Sequence, residues 1–532
     1  MVKSSPIVLL TWSLILFHRS AGQHDCQDIS DDFFAAQIIL SFASWKDNGV
    51  KQHIAIYYNN PGFKHGDKIE LHVNDTAKIQ PFAKYYYPLT MNGFVYFMDI
   101  DISSLTYESQ SIYQQQCLGY SASWIRNGTI RKTNCLSTHP DWMYQRRKML
   151  EKVSLSSIII PGTHNSGSYL KNPPVSLIEK FTATQDGSIF DQLIMGARYF
   201  DLRPGKHNDE YWIIHGDYLM TPLQKTIDDV KQFMNNTQEI VFLHFKEFPQ
   251  GFETKQDHQK FMKYLKKQFG THLVLRRNSS WKSSFKHIWG LNKRLIILYD
   301  QNSYKSVYEM WPSIPQMWGN VQSRDDLRKY LAFVETNITR PRVSMAELTM
   351  NTYEIITHSI AEAFGMEHTS LRQKASLIGP HVTQWYNKFF YENASIIAVD
   401  YLNATGIVEV ALEWNDPAYF TLQLFIHNIK ILTTMDSRPV SHAATLLSGG
   451  NTTDDGDSPH VDLPVRWLNH GLSSRIDINI SKQMIGVIDC HFQETSSSPI
   501  VINLVILSKI ICQYPTFKEE QKTANSDKRI DN

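Results

Sequence analysis

The chain contains few cysteines and none in its middle. Only five of its 532 residues are cysteines, at positions 26, 117, 135, 490 and 512. The stretch 136–489 therefore has no thiol to serve as a nucleophile or as a thiolate metal ligand. The nearest pairs for disulfides are Cys117–Cys135 and Cys490–Cys512, with Cys26 left over, although connectivity cannot be read from a sequence.

The chain also lacks a strong net charge and a long apolar run at its N-terminus. Lys and Arg total 53 and Asp and Glu total 52, so the formal net charge is +1. This balance gives no indication of nucleic acid as a partner. The apolar run 6–17 is shorter than the roughly 20 residues that a transmembrane helix needs.

The first 22 residues are instead typical of a secretory signal peptide. Lys3 precedes the apolar run, and Ser20-Ala21-Gly22 offers small residues for cleavage. Nine Asn-X-Ser/Thr sequons accompany this segment, which indicates a glycosylated protein that is secreted into the extracellular space. The sequons are at Asn74, Asn127, Asn235, Asn278, Asn337, Asn393, Asn403, Asn451 and Asn479.

Three regions follow the signal segment. Residues 23–140 alternate short apolar runs with turn signals, which predicts an all-β, sandwich-like domain. Residues 141–412 alternate strand and helix patterns, which predicts an α/β fold with a parallel sheet, and their length suits a TIM-like (β/α) barrel. Residues 413–532 form a smaller, β-leaning region with an acidic linker at 448–459 and a disordered tail.

Individual elements can be predicted within these regions. The clearest helix should begin with Thr221 as the N-cap, Pro222 at the first helical position and Gln224 completing a capping box. The expected strands are 37–42, 53–58, 68–73 and 93–102 in the first region, and 157–160, 197–202, 211–214, 239–245, 294–299 and 395–400 in the second.

Three consecutive strands of the predicted barrel end in ionisable side chains. The ends of parallel barrel strands meet at one rim, so these side chains should converge. Two histidines with an arginine and a carboxylate suit phosphoryl transfer. One imidazole takes a proton, the other gives one, and the guanidinium neutralises charge on the phosphoryl oxygens. The four residues are His164, Asp201, Arg203 and His215.

The motifs around these residues resemble those of the phosphatidylinositol-specific phospholipase C X domain. They are Ile-Pro-Gly-Thr-His-Asn-Ser-Gly-Ser-Tyr at 160–169, Gly-Ala-Arg-Tyr-Phe-Asp-Leu-Arg at 196–203 and His-Gly at 215–216. The resemblance extends over about 142–415 and is greatest to proteins that have the X domain without Y, PH or C2 modules. It implies a TIM-like barrel and a phosphoric diester hydrolase that cleaves phosphatidylinositol or GPI-like lipids during transient contact with a membrane.

The resemblance also implies a role for each catalytic candidate. His164 would be the general base toward the inositol 2-hydroxyl, and His215 the general acid toward the diacylglycerol oxygen. Asp201 and Arg203 are similar to the pair in the bacterial, metal-independent enzymes, where the arginine stands in place of a metal. Asp400 is a candidate to hold His164 by a hydrogen bond.

Candidate substrate-binding residues are Lys246 and Asn165, and the second of these departs from the bacterial pattern. Bacterial enzymes have Asp at that position, so the neutral amide predicts a lower rate. Calcium-dependent enzymes use Asn there as a metal ligand, which leaves Ca²⁺ on Asn165 and Asp201 as an alternative. A cation beside the guanidinium of Arg203 is electrostatically poor, so we expect no cofactor. His244 is a second departure, with no effect that the sequence assigns.

Two other functions remain open. The first is a catalytically weakened lipid- or glycan-binding protein on the same barrel, with the N-terminal β domain as its recognition module. The second is a different phosphodiesterase, such as a glycerophosphodiesterase or a phospholipase D. Those enzymes generally need a metal bound by acidic residues, and the segment 196–203 lacks the extra carboxylate. The combination of His164, His215 and Arg203 favours the phospholipase C-type enzyme.

Overall fold

The computed structural model describes ten segments of the chain. They are residues 36–44, 52–60, 62–73, 82–100, 111–169, 177–301, 310–363, 369–416, 467–470 and 473–476. The described residues before 417 belong to one compact unit. The predicted signal peptide, the acidic linker, the tail and the pair Cys490–Cys512 lie outside the described residues, as do the sequons Asn74, Asn451 and Asn479.

Antiparallel strands form the first part of this unit. The strands are β1 (Gln37–Ser44), β2 (Gln52–Asn59), β3 (Lys68–Val73), β4 (Phe82–Tyr86), β5 (Asn92–Ile100), β6 (Cys117–Arg126) and β7 (Thr129–Ser137). They make two sheets, in the orders β1-β2-β5 and β4-β3-β6-β7. The sheets share a core in which the rings of Tyr58 and Trp124 lie 5.9 Å apart. A disulfide between Cys117 and Cys135 joins β6 to β7.

The second part of the unit contains eleven further strands. They are β8 (Ile160–Thr163), β9 (Tyr199–Leu202), β10 (Pro204–His207), β11 (Glu210–His215), β12 (Tyr218–Pro222), β13 (Val241–Phe245), β14 (Leu295–Tyr299), β15 (Trp311–Pro312), β16 (Gln316–Met317), β17 (Val343–Met345) and β18 (Ile396–Val399). Eight of them form one parallel sheet in the order β15-β14-β13-β9-β8-β18-β17-β16.

This parallel sheet is the predicted TIM-like barrel. Its core strands are buried along their whole length, as strands covered on both faces should be, and are largely apolar with His244 in β13 as an exception. The two edge strands, β15 and β16, belong to a single segment, 311–317. That segment pairs with β14 at its start and with β17 at its end, so it joins the two edges of the sheet. The α/β fold expected from the alternating pattern is confirmed.

The interpretation of 211–214 as a barrel strand is wrong. This run lies in β11, the centre of a separate antiparallel sheet of order β10-β11-β12 that follows β9. A short apolar run has the same appearance in a hairpin and in a barrel strand, so periodicity alone does not separate the two. The histidine that ends this run therefore reaches the rim on a hairpin.

Helices surround the barrel. They are α1 (Trp142–Gln145), α2 (Arg147–Leu150), α3 (Leu177–Thr182), α4 (Ile189–Met195), α5 (Leu223–Asn236), α6 (Lys255–Phe269), α7 (Phe285–Gly290), α8 (Arg324–Asn337), α9 (Thr352–Ala363), α10 (Leu371–Trp385) and α11 (Ile407–Trp414). The predicted capping box of α5 is wrong. Thr221 lies in β12, Pro222 is the N-cap without a side-chain capping bond, and Gln224 hydrogen-bonds to Asp228.

The β sheets of the first part pack directly on the barrel helices. The hydroxyl of Tyr57 in β2 donates to the side-chain oxygen of Asn387, 3.2 Å away. The ring of Phe94 in β5 meets that of His381 in α10 edge to face, with centroids 4.7 Å apart. Within the described segments, no helix has both the length and the apolar character needed to cross a bilayer.

A second unit contributes one described feature. It is an antiparallel hairpin of β19 (Trp467–His470) and β20 (Ser473–Ile476).

Candidate active site

The carboxyl ends of three neighbouring barrel strands bring four ionisable residues to one rim. His164 directly follows β8, Asp201 and Arg203 lie at the end of β9, and Asp400 directly follows β18. Strand β8 is hydrogen-bonded to both β9 and β18, so the three loops are neighbours. Of the four residues expected to converge from barrel strand ends, His164, Asp201 and Arg203 do so, and Asp400 joins them from the end of β18.

His164 is held between a carboxylate and a guanidinium. Its Nδ1 lies 2.7 Å from Oδ1 of Asp400, and its Nε2 lies 2.8 Å from Nη2 of Arg203. A guanidinium only donates, so Nε2 accepts, and Nδ1 carries the proton that goes to Asp400. Burial acts to lower the pKa of His164, but the carboxyl groups of Asp400 and Glu347 outweigh it and raise that pKa.

Gln185 ties the loop of His164 to the loop of Asp400. Its side-chain NH₂ donates to the carbonyl oxygens of His164, at 3.1 Å, and Val399, at 2.9 Å. Its Oε1 accepts from the backbone N–H of Leu402, at 3.1 Å. The side chain is fully buried and uses both donors and its acceptor, so the spacing between the imidazole and the carboxylate is fixed by the fold.

Asp201 anchors Arg203 from a fully buried position. Its Oδ2 accepts from Nη2 of Arg203, at 3.3 Å, and from the backbone N–H of Asn165, at 3.1 Å. Burial acts to raise the pKa of Asp201, but the charges of Arg203 and His164 hold it well below its usual range. The other terminal nitrogen of Arg203, Nη1, lies 3.2 Å from Glu247.

His215 completes the group from the tip of the β11–β12 hairpin. The centroids of the His164 and His215 rings are 6.3 Å apart. Nδ1 of His215 donates to the carbonyl oxygen of Thr182, 2.5 Å away, which leaves Nε2 for other partners. Burial lowers the pKa of His215 to about 4, so the ring of the free protein is neutral at pH 7 and Nε2 has no proton.

The two predicted substrate-binding residues lie close to this group. Asn165 is fully buried, and neither atom of its amide has a hydrogen-bond partner within the described segments. An unpaired buried amide costs about 1–3 kcal/mol, so this group is available to a ligand. Nζ of Lys246 hydrogen-bonds to Oε1 of Gln316 and lies 3.3 Å from Glu247.

Glu347 is a buried carboxyl group that the sequence analysis missed. Its side chain is 4 % exposed, and within the described segments neither carboxyl oxygen has a hydrogen-bond partner. Burial raises its pKa to about 8, with the charge of Asp400 acting in the same direction and that of His164 opposing it. The residue follows β17, and a three-residue strand carries no recognisable period in the sequence.

The site does not fit the calcium alternative. Ca²⁺ takes about six to eight oxygen ligands. Both carboxylate oxygens of Asp201 already accept hydrogen bonds, one from Gln316 and one from Arg203. Across the described segments, no three or more His, Cys, Asp or Glu residues are grouped so that they could hold a metal ion.

Comparison with known proteins identifies this part of the chain. Residues 158–301 match the family described as phosphatidylinositol-specific phospholipase C, X domain. This part of the chain is therefore similar to an X domain. The match includes His164, Arg203 and His215, whereas Glu347 and Asp400 lie beyond its end.

The similar proteins include relatives named for the X domain and a solved bacterial enzyme. PI-PLC X domain-containing protein 2 of Mus musculus is 27% identical over 334 residues, covering 55% of this chain and 94% of the relative. Its Homo sapiens counterpart is 29% identical over 248 residues, covering 40% of this chain and 79% of the relative. The solved phosphatidylinositol-specific phospholipase C of Listeria monocytogenes aligns with a TM-score of 0.40 and 19% identity. That alignment covers 51% of this chain and 98% of the solved one.

Proposed function

We propose that this chain is a secreted phosphodiesterase that cleaves phosphatidylinositol or GPI-like lipids by phospholipase C-type chemistry. The observation that carries the proposal is the placement of His164 between Asp400 and Arg203, with His215 6.3 Å away between ring centroids. A base, an acid and a fixed cation are the three groups that transfer of a phosphoryl group to an internal hydroxyl requires.

In the first step, His164 acts as the general base. Its Nε2 takes the proton of the inositol 2-hydroxyl, whose oxygen attacks the phosphorus. In the free protein Nε2 accepts a hydrogen bond from Arg203, so substrate binding must redirect the guanidinium onto the phosphoryl oxygens. This movement frees the base and neutralises the growing charge. Asp400 stabilises the imidazolium that forms.

In the same displacement, His215 acts as the general acid. Nε2 gives a proton to the diacylglycerol oxygen as its bond to phosphorus breaks, and the product is a cyclic inositol phosphate that water opens more slowly. Because the pKa of His215 is about 4 in the free protein, the ring needs the negative charge of the bound phosphodiester to become protonated. The hydrogen bond from Nδ1 to Thr182 orients it.

Exposed apolar side chains near the rim support contact with a membrane. Tyr218 lies next to the tip of the hairpin that carries His215, and Trp318 follows β16. Tyr353 and Ile356 lie on α9, in the connection that follows β17. The four side chains are 47–76 % exposed, and aromatic groups favour the interface between water and lipid. Vesicle sedimentation with and without Trp318→Ala tests this contact.

The positions of the sequons support secretion and glycosylation. Asn403 is half-buried, and every other sequon in the described segments is exposed; those are Asn127, Asn235, Asn278, Asn337 and Asn393. Expression of the full chain in eukaryotic cells tests this part of the proposal. We expect the protein in the medium, with a mass that falls on treatment with a glycosidase that removes N-linked glycans.

A second candidate function is a lipid- or glycan-binding protein on the same barrel. The neutral amide of Asn165 and the low pKa of His215 favour it, because both weaken the general acid. Assays with substrates that have different leaving groups distinguish the two candidate functions. For an enzyme, His215→Ala should retain activity on an inositol phosphodiester with a nitrophenol leaving group, which needs no acid, whereas His164→Ala should lose it. A pure binding protein has no turnover with either substrate.

A further inference from the structure

Four polar side chains form a hydrogen-bonded chain beneath the site, and no step above uses them. Nδ1 of His244 lies 2.7 Å from the hydroxyl of Tyr199, and Nε2 lies 2.8 Å from Oγ of Ser313. Nε2 of Gln316 lies 2.8 Å from the same Tyr199 hydroxyl and 3.2 Å from Oδ1 of Asp201. We call Ser313, His244, Tyr199 and Gln316 the relay.

The barrel register brings the relay to Asp201. Tyr199 and Asp201 are two residues apart in β9, so they share a face, and His244 in β13 is the register partner of Asp201. Gly162 in β8 makes room for the tyrosine ring, because a Cβ there would lie 2.8 Å from its Cδ1 atom. Tyr199 and His244 are both fully buried.

The direction of the first hydrogen bonds follows from the charges beside Gln316. The ammonium of Lys246 only donates, so Oε1 of Gln316 accepts from it. The NH₂ group of the amide then faces the carboxylate of Asp201 and the oxygen of Tyr199, and donates to both. A flipped amide would place its oxygen against the carboxylate and its NH₂ against the ammonium.

The remaining directions follow from Tyr199. Its oxygen accepts from Gln316, and its own proton goes to Nδ1 of His244, an acceptor 2.7 Å away. Burial lowers the pKa of His244 to about 3, so the ring is neutral and its single proton lies on Nε2. That proton goes to Ser313. From Gln316 onward, Tyr199 and His244 therefore each donate away from Asp201, and the Gln316 amide also donates to Asp201 itself.

We propose that the relay is a positioning device for the phosphate-binding cations of the X domain. It fixes the orientation of the Gln316 amide, which holds Lys246 through its oxygen and Asp201 through its nitrogen. With Oδ1 of Asp201 occupied, Oδ2 faces Arg203 and keeps the guanidinium beside Nε2 of His164, from where a bound phosphoryl group can take it over. This inference rests on the proposed function of the same site. His244 is thereby a positioning residue that touches no reacting atom.

The matched pair Tyr199→Phe and Tyr299→Phe tests the proposal. Tyr299 in β14, which is separated from β9 by β13, is also buried, and its hydroxyl lies 2.9 Å from Nδ1 of His258, outside the site. Both variants lose one buried hydroxyl that is paired with a histidine. We expect kcat on phosphatidylinositol to fall about tenfold in Tyr199→Phe, with KM changed less, and to stay near wild type in Tyr299→Phe. An equal change of kcat in the two variants would overturn the proposal.

A measurement that does not depend on enzymatic activity tests the relay independently of the proposed function. NMR of protein with labelled histidines reports the tautomer of His244 and the titration of His164. We expect the proton of His244 on Nε2, and a rise of about half a unit in the pKa of His164 in Tyr199→Phe, because Arg203 is held less firmly at its Nε2. No change at His164, or a proton on Nδ1 of His244, would overturn the relay even if the wild type proves inactive.

Discussion

Replacement of Glu247 by glutamine should tighten the binding of phosphate to the candidate site. The carboxylate of Glu247 bridges the two cations of the site, with Oε2 3.2 Å from Nη1 of Arg203 and Oε1 3.3 Å from Nζ of Lys246. A phosphoryl group that uses both cations must displace it. The Glu247 side chain is 43 % exposed, so it has solvent to move into.

The size of the effect follows from the exposure of these ion pairs. A solvent-accessible pair contributes about 0.2–1 kcal/mol, so the two contacts of Glu247 together oppose displacement by about 1 kcal/mol. Since a tenfold change in affinity corresponds to about 1.4 kcal/mol, loss of the carboxylate should lower the Kd for phosphate about fivefold. The gain should shrink as ionic strength rises, because salt screens exposed charges.

Calorimetric titration of inorganic phosphate at low and high salt checks this prediction. Asp209→Asn is the matched control, since it removes an exposed carboxylate that pairs with Lys206 at 2.7 Å on the adjacent hairpin and touches neither cation of the site. We expect no change in the control. Unchanged phosphate affinity in Glu247→Gln would refute the competition, and weaker affinity would mean that the carboxylate holds the cations in place instead.

Three further changes have expected outcomes. Asp400→Asn removes the carboxylate that raises the pKa of His164, so the acidic limb of the pH–rate profile should move to lower pH and kcat should fall at least about tenfold. Glu347 has its pKa raised from 4.5 to about 8, so the folded state should lose stability as pH rises through this range. Glu347→Gln should abolish that loss in denaturant titrations at pH 6 and pH 9. Asn165→Asp adds a negative charge that should raise the pKa of His215 and increase kcat at pH 7 several-fold; a lower kcat in steady-state assays would contradict this.

The sequence predicts those parts of the site that follow runs of β-branched and aromatic residues. Strands β8, β9 and β18 are preceded or filled by β-branched and aromatic residues, and their boundaries place His164, Arg203 and Asp400 at one rim. The order of these motifs along the chain resembles that of the X domain. The match of residues 158–301 to the X-domain family agrees with this resemblance.

The sequence does not predict the parts of the site that lie on very short strands or that depend on which way a side chain points. Gln316 and Glu347 lie in or after strands of two and three residues, which no periodic pattern marks. The hairpin that carries His215 has the apolar run of a barrel strand, and only its pairing partners distinguish it. The position of His244 is plain from the sequence, but its effect requires the contacts of both ring nitrogens.

Direct detection of the product tests the proposed chemistry most sharply. Purified full-length protein is incubated with phosphatidylinositol vesicles in the presence of a calcium chelator, and the water-soluble products are resolved. We expect cyclic inositol phosphate to form in the chelator, and the His164→Ala variant to form none. Absence of the cyclic product with the wild type, or its appearance only when calcium is added, would contradict a metal-independent base and acid at His164 and His215.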